Sequence, residues 1–350
     1  MKEGWTYKRL GDLCRIRTGK LDANAADDDG LYPFFTCSVT PLRINKYAYD
    51  CECVLVAGNG DLNVKYYSGK FNAYQRTYII ESNDKNVLDV RYLYMFLSEH
   101  VTILRKKSIG AIIKYIKLGY LTEAKLLLPP ISEQRAIVAR LDSAFAQIDS
   151  LKANAEKQLS EARKLFQKAL EEAMTPKEGW EEKTFGDIIR LQSGDNLPTK
   201  KIEEGEYPVF GGNGVAGFHK YFNKEGNIIV VGRVGALCGN VHYVETPFWL
   251  TDNGFEVIVN KDIDVEMKFL SRYLIYLDLG KYARQTAQPV ISNASLRDVK
   301  VFVPPLSTQH SIVAHLDSLS SNVRALEEKL KKMKDECDAL KQAMLREVFE

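Results

Sequence analysis

The chain has 350 residues, with 48 Lys and Arg against 46 Asp and Glu, a formal net charge of +2. That length accommodates two or three domains, each able to bury its own core, and 45% apolar with 27% charged residues excludes wholesale disorder. Near-neutral charge excludes a strongly basic, non-specific nucleic-acid coat. No apolar run reaches the ~18 residues of a membrane helix, and Met1-Lys2-Glu3-Gly4-Trp5 does not read as a signal peptide. The cysteines, Cys14, Cys37, Cys51, Cys53, Cys238 and Cys337, form no CxxC pair, so a reduced, cytoplasmic setting is expected.

From its first residues the chain is written twice, at an offset of 175. Lys2-Glu3-Gly4-Trp5 recurs as Lys177-Glu178-Gly179-Trp180. Lys8, Gly11, Asp12 and Gly19 recur as Lys183, Gly186, Asp187 and Gly194. Gly30, Tyr32, Pro33, Phe35 and Gly60 recur as Gly205, Tyr207, Pro208, Phe210 and Gly235. The match is densest where Pro129-Pro130-Ile131-Ser132-Glu133-Gln134 returns as Pro304-Pro305-Leu306-Ser307-Thr308-Gln309 and runs on to Leu141-Asp142-Ser143 and Leu316-Asp317-Ser318. Between these frames, residues 61–110 and 236–285 share few identities. A common frame around divergent interiors implies one fold doing one kind of job on two targets.

Each repeat splits at its Pro-Pro. Residues 1–128 and 176–303 form heads carrying short β-type runs: Cys53–Ala57, Thr77–Ile80, Asn227–Val231 and Phe255–Val259. Gly, Asn and Asp clusters separate these runs, and helical stretches cover Val90–Leu104 and Val265–Leu279. Each head reads as an α+β domain rich in loops. Residues 129–175 and 304–350 read as long helices, free of Gly and Pro from the Ser to Met174 and to Glu350, with Ser132 and Ser307 as N-caps and Glu133 and Gln134 as further acceptors. Leu141, Ile148, Ala155, Ala162 and Ala169 recur at heptad spacing, with Ala144, Leu151 and Leu165 as the partner position. Leu316, Val323, Leu330, Cys337 and Met344, with Leu319, Leu326, Met333 and Leu340, repeat the pattern. Each helix would be roughly 60 Å long. The short linker Thr175–Gly179 allows only antiparallel pairing. The expected architecture is two similar α+β heads separated by an antiparallel coiled coil, a pseudo-two-fold dumbbell.

The duplicated order resembles the specificity subunit of type I restriction–modification systems. The resemblance rests on Gly4-Trp5 and Gly179-Trp180, on Leu10-Gly11-Asp12 and Phe185-Gly186-Asp187, and on Leu127-Leu128-Pro129-Pro130-Ile131-Ser132-Glu133-Gln134-Arg135 with its copy Phe302-Val303-Pro304-Pro305-Leu306-Ser307-Thr308-Gln309, each followed by a long helix. Gln288-Pro289-Val290-Ile291 is similar to the family's segment upstream of the Pro-Pro, and Ala111-Ile112-Ile113-Lys114 replaces it in the first half. The resemblance implies heads 1–128 and 176–303 that are target-recognition domains, each reading one half of a split, asymmetric double-stranded DNA target. It implies spacer helices over 129–175 and 304–350 that set the unread gap and dock two modification subunits. It further implies that those partners are adenine methyltransferases that use S-adenosylmethionine, and that restriction subunits can join them. At ~3.4 Å per base pair, ~60 Å spans at most about 18 base pairs, or half-sites one to two turns apart.

Readout of DNA needs Arg or Lys for guanine, Asn or Gln for adenine, and positive charge for phosphates. Head 1 holds 19 basic and 14 acidic residues, a net of +5. Its densest basic run is Arg105, Lys106 and Lys107 through Lys114 and Lys117; Arg15, Arg17 and Lys20 precede a loop, and Asn59, Asn63, Lys65, Tyr74, Gln75 and Arg76 form a polar, aromatic cluster. For each of these a solvated surface is the plain alternative. Head 2 holds 15 basic and 17 acidic residues, a net of −2, and offers Arg190, Lys200, Lys201, Asn213, His219, Lys220, Arg233, Asn240, Arg284, Gln285 and Gln288. Partner subunits are therefore expected to supply much of the phosphate grip.

Other signals are set aside. Gly212-Asn213-Gly214-Val215-Ala216-Gly217 satisfies GxGxxG, but no βαβ unit surrounds it, so a glycine-rich hairpin is the better reading. Glu266-Met267-Lys268 lacks a paired acid for nuclease chemistry. Leu128-Pro129-Pro130-Ile131 lacks the Asn or Asp and the aromatic that a base-flipping methyltransferase needs; its prolines end a strand before a helix. Cys51 and Cys53 are too close for a zinc knuckle, and His310 and His315 fit surface or packing roles. No catalytic centre and no metal site is expected. The leading expectation is a non-catalytic DNA reader; the alternative is a coiled-coil assembly scaffold whose heads bind protein.

Overall fold

The computed structural model describes residues 4–109, 114–284 and 288–349. The chain divides into two compact units, Met1–Glu156 with Leu330–Glu350, and Lys157–Lys329. Among the described residues no helix is long and apolar enough to cross a membrane.

In the first unit β1 (Thr6–Arg9) leads into the short α1 (Leu10–Leu13) and β2 (Cys14–Thr18). Then come β3 (Tyr32–Phe35), β4 (Leu42–Ile44), β5 (Tyr49–Ala57), β6 (Val64–Ala73) and β7 (Thr77–Ser82). Helices α2 (Val90–Lys107) and α3 (Leu118–Thr122) and strand β8 (Lys125–Leu128) precede α4 (Ile131–Met174). Strands β2, β7, β5, β6, β3 and β4 make one sheet in that order, while β1 pairs with β8. Alternation along β5 places Val54 and Val56 on the face covered by α2, in a core with Tyr92, Leu93 and Leu97. Cys53 and Leu55 point to the other face, where Phe35, Tyr49, Phe71 and Ile79 complete a second core. A side-chain hydrogen bond with Cys51, together with burial, raises the pKa of the Cys53 thiol there. Asp89 caps α2 by accepting the Arg91 and Tyr92 amides, and Arg105, Lys106 and Lys107 fill its last turn, where the helix dipole favours cations.

The second unit repeats the plan with β9 (Glu181–Thr184), α5 (Phe185–Ile188), β10 (Ile189–Ser193), β11 (Tyr207–Gly211), β12 (Gly214–His219) and β13 (Ile228–Gly232). There follow β14 (Val241–Val244), β15 (Trp249–Leu250), β16 (Gly254–Val259), α6 (Met267–Leu277), α7 (Asn293–Leu296), β17 (Lys300–Val303) and α8 (Leu306–Phe349). Its strands order as β10-β16-β13-β14, β12-β11-β15 and β17-β9. The GxGxxG stretch is the β11–β12 hairpin, as expected, with Gly214 at φ +87°. Gly19 and Gly194 are required by crowding: a Cβ would come within 2.1 Å of the Ala73 carbonyl oxygen in one unit and 2.3 Å of the Leu250 carbonyl oxygen in the other.

The N-cap expectation needs correction. Both long helices begin directly after Pro-Pro, so Ser132 and Ser307 lie inside the first turn. Pro130 and Pro305 accept the first backbone bonds instead, from Gln134 and Gln309 at 3.0 Å each. Glu133 accepts the Trp5 indole N–H at 2.8 Å. Gln134 and Gln309 are fully buried and bond to the heads.

The heptad expectation holds at one position and only in part at the other. Leu141, Ile148, Leu316, Leu330 and Cys337 are buried. At the second position Ala144, Leu319 and Met333 are partly buried but Leu151 and Leu165 are 52% and 68% exposed, and the places four residues on, Phe145, Lys152, Leu159 and Phe166, are partly buried as well. On α8 the corresponding places are Ser320, Glu327, Lys334 and Lys341, leaving Leu326 and Leu340 exposed. Charged residues at a seam stay there by pairing across it. In the first unit Asp149 meets Lys341, Lys152 meets Asp338 and Glu156 meets Lys334, each at 2.5 Å, so α4 and α8 run antiparallel there. In the second unit Arg163 meets Glu327 at 2.6 Å, and Leu170 and Met174 share a core with Leu316, again antiparallel.

Candidate nucleic-acid interface

The strand registers of the first unit bring several strand ends to one rim of the sheet. Thr18 lies opposite Tyr78, Ala57 opposite Thr77, and Val56 opposite Val64. The residues just beyond these strand ends therefore meet. Gly19 N–H donates to Thr77 at 3.1 Å, Gly58 N–H to Arg76 at 2.8 Å, and Ala57 N–H to Asn63 at 3.0 Å. Residues 114–116 join the same rim: Gly60 donates to the Lys114 carbonyl at 2.8 Å, and Ile116 donates to that of Gly58 at 2.9 Å. Arg105 reaches it from the end of α2, donating to the Leu62 carbonyl at 2.6 Å. A concave cleft of about 290 Å³ opens here, lined by Thr18, Gly58, Gln75, Arg76, Tyr78, Tyr115 and Ile116.

Most head 1 candidates thus come from distant sequence to one edge. Lys20, Gln75, Arg76, Lys106, Lys107 and Lys114 are exposed on or beside it. Asn59 is half-buried and bridges Tyr115; Tyr74 is half-buried and bridges Leu21. Asn63 spends its amide on the Cys37 and Asp61 carbonyls, at 2.8 and 3.0 Å, and accepts from the Lys65 ammonium. Burial lowers the pKa of Lys65, which weakens it as a phosphate contact. Arg15 and Arg17 do not reach the rim. Arg15 is exposed in mid-strand, and Arg17 pairs with Glu81 at 2.6 Å with its guanidinium over Tyr49.

The second unit builds the same rim at the same offset. Gly235 N–H donates to Pro289 at 3.1 Å and Ile291 N–H to Arg233 at 3.0 Å. Arg284 bridges Val290 as Ile109 bridges Tyr115. The segment matching Pro289–Ile291 is therefore Lys114–Ile116, two residues later than the sequence comparison placed it; residues 110–113 lie outside the described residues. Gly232 donates to the Asn240 carbonyl at 2.9 Å, as Ala57 does to Asn63, so these two predicted asparagines are equivalent, at an offset of 177.

Among the other head 2 candidates, Asn213 is exposed at the hairpin tip, and Lys220 is exposed, its ammonium 5.3 Å from the Tyr221 ring. Lys200 and Lys201 are exposed in the short helical turn Thr199–Lys201, and Arg190 in mid-strand; Gln288 is exposed near the rim. Gln285 lies outside the described residues. His219 must be withdrawn: it is buried, and its Nδ1 accepts the Glu203 amide at 2.9 Å, so its ring cannot meet a base edge. Arg233 is braced rather than free, donating to the Asp252 carbonyl at 3.2 Å with its guanidinium over Phe255.

Three rim residues were missed: Tyr115, Asp252 and Asn253. Asp252 and Asn253 occupy the turn between β15 and β16, in the place of Gln75 and Arg76 between β6 and β7. At a constant offset of 175 they do not align, because two residues are inserted between Gly235 and Asn240. A wider groove of the second unit, about 720 Å³, lies elsewhere, beside β14 and α6. Its charges are internally paired, Lys268 with Glu245 at 2.8 Å and Arg272 with Asp317. Among the described residues no group of three or more His, Cys, Asp and Glu is placed to hold a metal ion.

Residues 2–161 and 177–334 each match the type I restriction modification DNA specificity domain. The chain is 29% identical over 395 aligned residues to the type I restriction enzyme EcoDI specificity subunit of Escherichia coli, covering 99% of this chain and 88% of that one. It is 33% identical over 160 residues to the EcoprrI specificity subunit of the same species, 44% of this chain and 39% of that one. A solved structure described as "Structural basis underlying complex assembly and conformational transition of the type I R-M system" shares the fold at a TM-score of 0.75 and 18% identity, covering 99% of this chain and 97% of that one. The HsdS subunit from Thermoanaerobacter tengcongensis does so at a TM-score of 0.57 and 19% identity, covering 100% and 97%. Matched twice, once in each copy of its repeat, this chain belongs to the family of type I restriction modification DNA specificity domains.

Proposed function

We propose that this chain is the DNA sequence-specificity subunit of a type I restriction–modification complex, each head reading one half of a split, asymmetric target. The observation that carries the reading is the rim of head 1, where Lys20, Asn59, Gln75, Arg76 and Lys114 are gathered from separate stretches of sequence onto one sheet edge. The same backbone frame recurs in head 2 with different side chains. A shared scaffold with unlike tips suits two readers of unlike sequences. Nothing in the comparisons favours the protein-binding scaffold.

The chain is the non-catalytic member of its complex and acts with DNA and with other subunits. Two modification subunits, carrying S-adenosylmethionine and transferring the methyl group to adenine, would dock on the paired helices, and restriction subunits can join. The exposed Leu151, Leu165, Leu326 and Leu340 are apolar surface on those helices that suits such docking. The helices would set the unread spacer, and the setting is the cytoplasm. The net −2 of head 2 against +5 of head 1 supports a division of labour in which partners grip phosphates.

The test is methylome sequencing of cells with and without the chain. One bipartite adenine-methylation motif should vanish with it. Unchanged methylation in a strain carrying the modification subunit would reject the reading.

A further inference from the structure

The rim carries one backbone device in both heads. In head 1 a two-residue turn closes with Thr77 N–H donating to the Tyr74 carbonyl at 2.8 Å and exposes Gln75 and Arg76 between them. Its backbone is pinned from several sides. Tyr74 N–H donates to Phe35 at 2.9 Å and Gln75 N–H to Leu21 at 2.8 Å; the Arg76 carbonyl accepts Gly58 N–H at 2.8 Å. In head 2, Gly254 N–H donates to Thr251 at 3.1 Å around Asp252 and Asn253. Thr251 N–H donates to Phe210 at 2.9 Å, and the Asn253 carbonyl accepts Arg233 N–H at 3.0 Å. Phe35 and Phe210 are repeat equivalents, as are positions 58 and 233.

A turn held this firmly loses little freedom on binding, so its side chains meet a ligand in a defined place. The turn, its phenylalanine anchor and the bond from position 58 or 233 are shared, while the tips differ. Gln and Arg have the geometry for the adenine and guanine major-groove edges; Asp accepts from the cytosine amine and Asn pairs with adenine. Arg76 is exposed and lines the cleft with Tyr78 and Tyr115, and the Gln75 amide makes only a long, exposed bond to Asp22 at 3.4 Å that a base edge would replace.

We infer that Gln75-Arg76 and Asp252-Asn253 are specificity-determining pairs, each contacting base edges of its own half-site. This rests on the DNA-reading function proposed above, and it names residues that the family match does not distinguish. Exchange of the tips on a conserved backbone is then the means by which the two heads acquire different half-sites.

The probe is a random-sequence duplex library, offered to the full chain assembled with its methyltransferase subunits, with the bound duplexes sequenced. The exchange Q75D/R76N should alter bases in one half of the selected motif and leave the other half intact, and D252Q/N253R should do the converse. The unaltered half reports that each variant is assembled, and a changed base preference in the altered half, as opposed to its plain loss, reports that the altered head is folded. R76A removes only an exposed side chain and should lower preference at one base pair roughly tenfold or more, which keeps the test decisive should a double exchange not fold. Selection of the wild-type motif by all variants would overturn the assignment to the turns while leaving DNA reading intact. Absence of any motif with the wild-type complex would instead overturn the DNA-reading function itself.

Discussion

The side-chain carbonyl of Gln134 accepts the backbone amide of Asp89 at 2.9 Å, joining the start of one long helix to the cap of α2. Its amide donates to the Val87 and Pro129 carbonyls, both at 2.8 Å. Gln309 repeats all three contacts, accepting from Glu266 at 2.7 Å and donating to Asp264 and Pro304 at 3.2 and 2.9 Å. Asp89 and Glu266 are in turn the N-caps of α2 and α6. One buried amide thus fixes each long helix to its head through neutral, fully satisfied bonds.

Replacing Gln134 by Ala should cost about 3 kcal/mol, because it strands a backbone amide and two carbonyls away from water. Gln134→Glu should also destabilise, since a carboxylate cannot donate to Val87 and Pro129. Urea denaturation of the full chain measures both, and Gln309→Ala should behave likewise in the second unit. A loss below about 0.5 kcal/mol would show that water replaces the side chain at no cost.

The corrected seam separates leucines that look alike in sequence. Leu141→Ala should lower stability by about 2–5 kcal/mol, as it empties a site shared with Met95 and Leu345. Leu165→Ala, at a side chain 68% exposed, should change it by no more than about 0.5 kcal/mol. If Leu165 lies under a docked modification subunit, Leu165→Arg should leave the melting temperature unchanged yet weaken assembly on a sizing column. Equal melting shifts for Leu141→Ala and Leu165→Ala would contradict the burial pattern.

Burial, with a smaller contribution from Lys107, pushes the His100 pKa down from 6.5 to about 4. Unfolded, this imidazole binds a proton below pH 6.5; folded, it stays neutral against Phe96, with ring centroids 5.1 Å apart, until pH approaches 4. Protons therefore favour the unfolded chain across that window, and stability should fall as pH drops through it, by at most about 3 kcal/mol from this group. His100→Phe should flatten that part of the pH profile of the urea midpoint. An NMR titration of His100 with a midpoint near 6.5 would remove the effect.

Lys106 and Lys107 sit exposed in the last turn of α2, beside the rim. If they touch phosphates, K106Q/K107Q should weaken binding to all duplexes alike and reduce the slope of log K against log salt by about 2. R76A should instead change discrimination between duplexes. Fluorescence anisotropy at several salt concentrations distinguishes the two behaviours.

The duplication, the α+β heads, the long helices after each Pro-Pro and the apolar Leu141-Ile148 and Leu316-Leu330 stripe were all legible in sequence, because local periodicity and an in-register repeat encode them. Local pattern could not decide which of two neighbouring positions completes the seam. A leucine at the +3 position satisfies a heptad on paper as well as one at +4 does, and only packing shows Lys152 and Lys341 inside it with their charges paired across it. Nor could composition separate Gln75 and Arg76, carried on a pinned turn, from Arg17, drawn down onto Tyr49 and Glu81, or from His219, buried against Trp249 and bonded to Glu203. Those distinctions depend on which strand ends meet, and strand pairing joins residues that the chain keeps dozens of positions apart. What the sequence by itself determined was a repeated frame and its family; which side chains stand free at the edge of that frame was decided by tertiary structure alone.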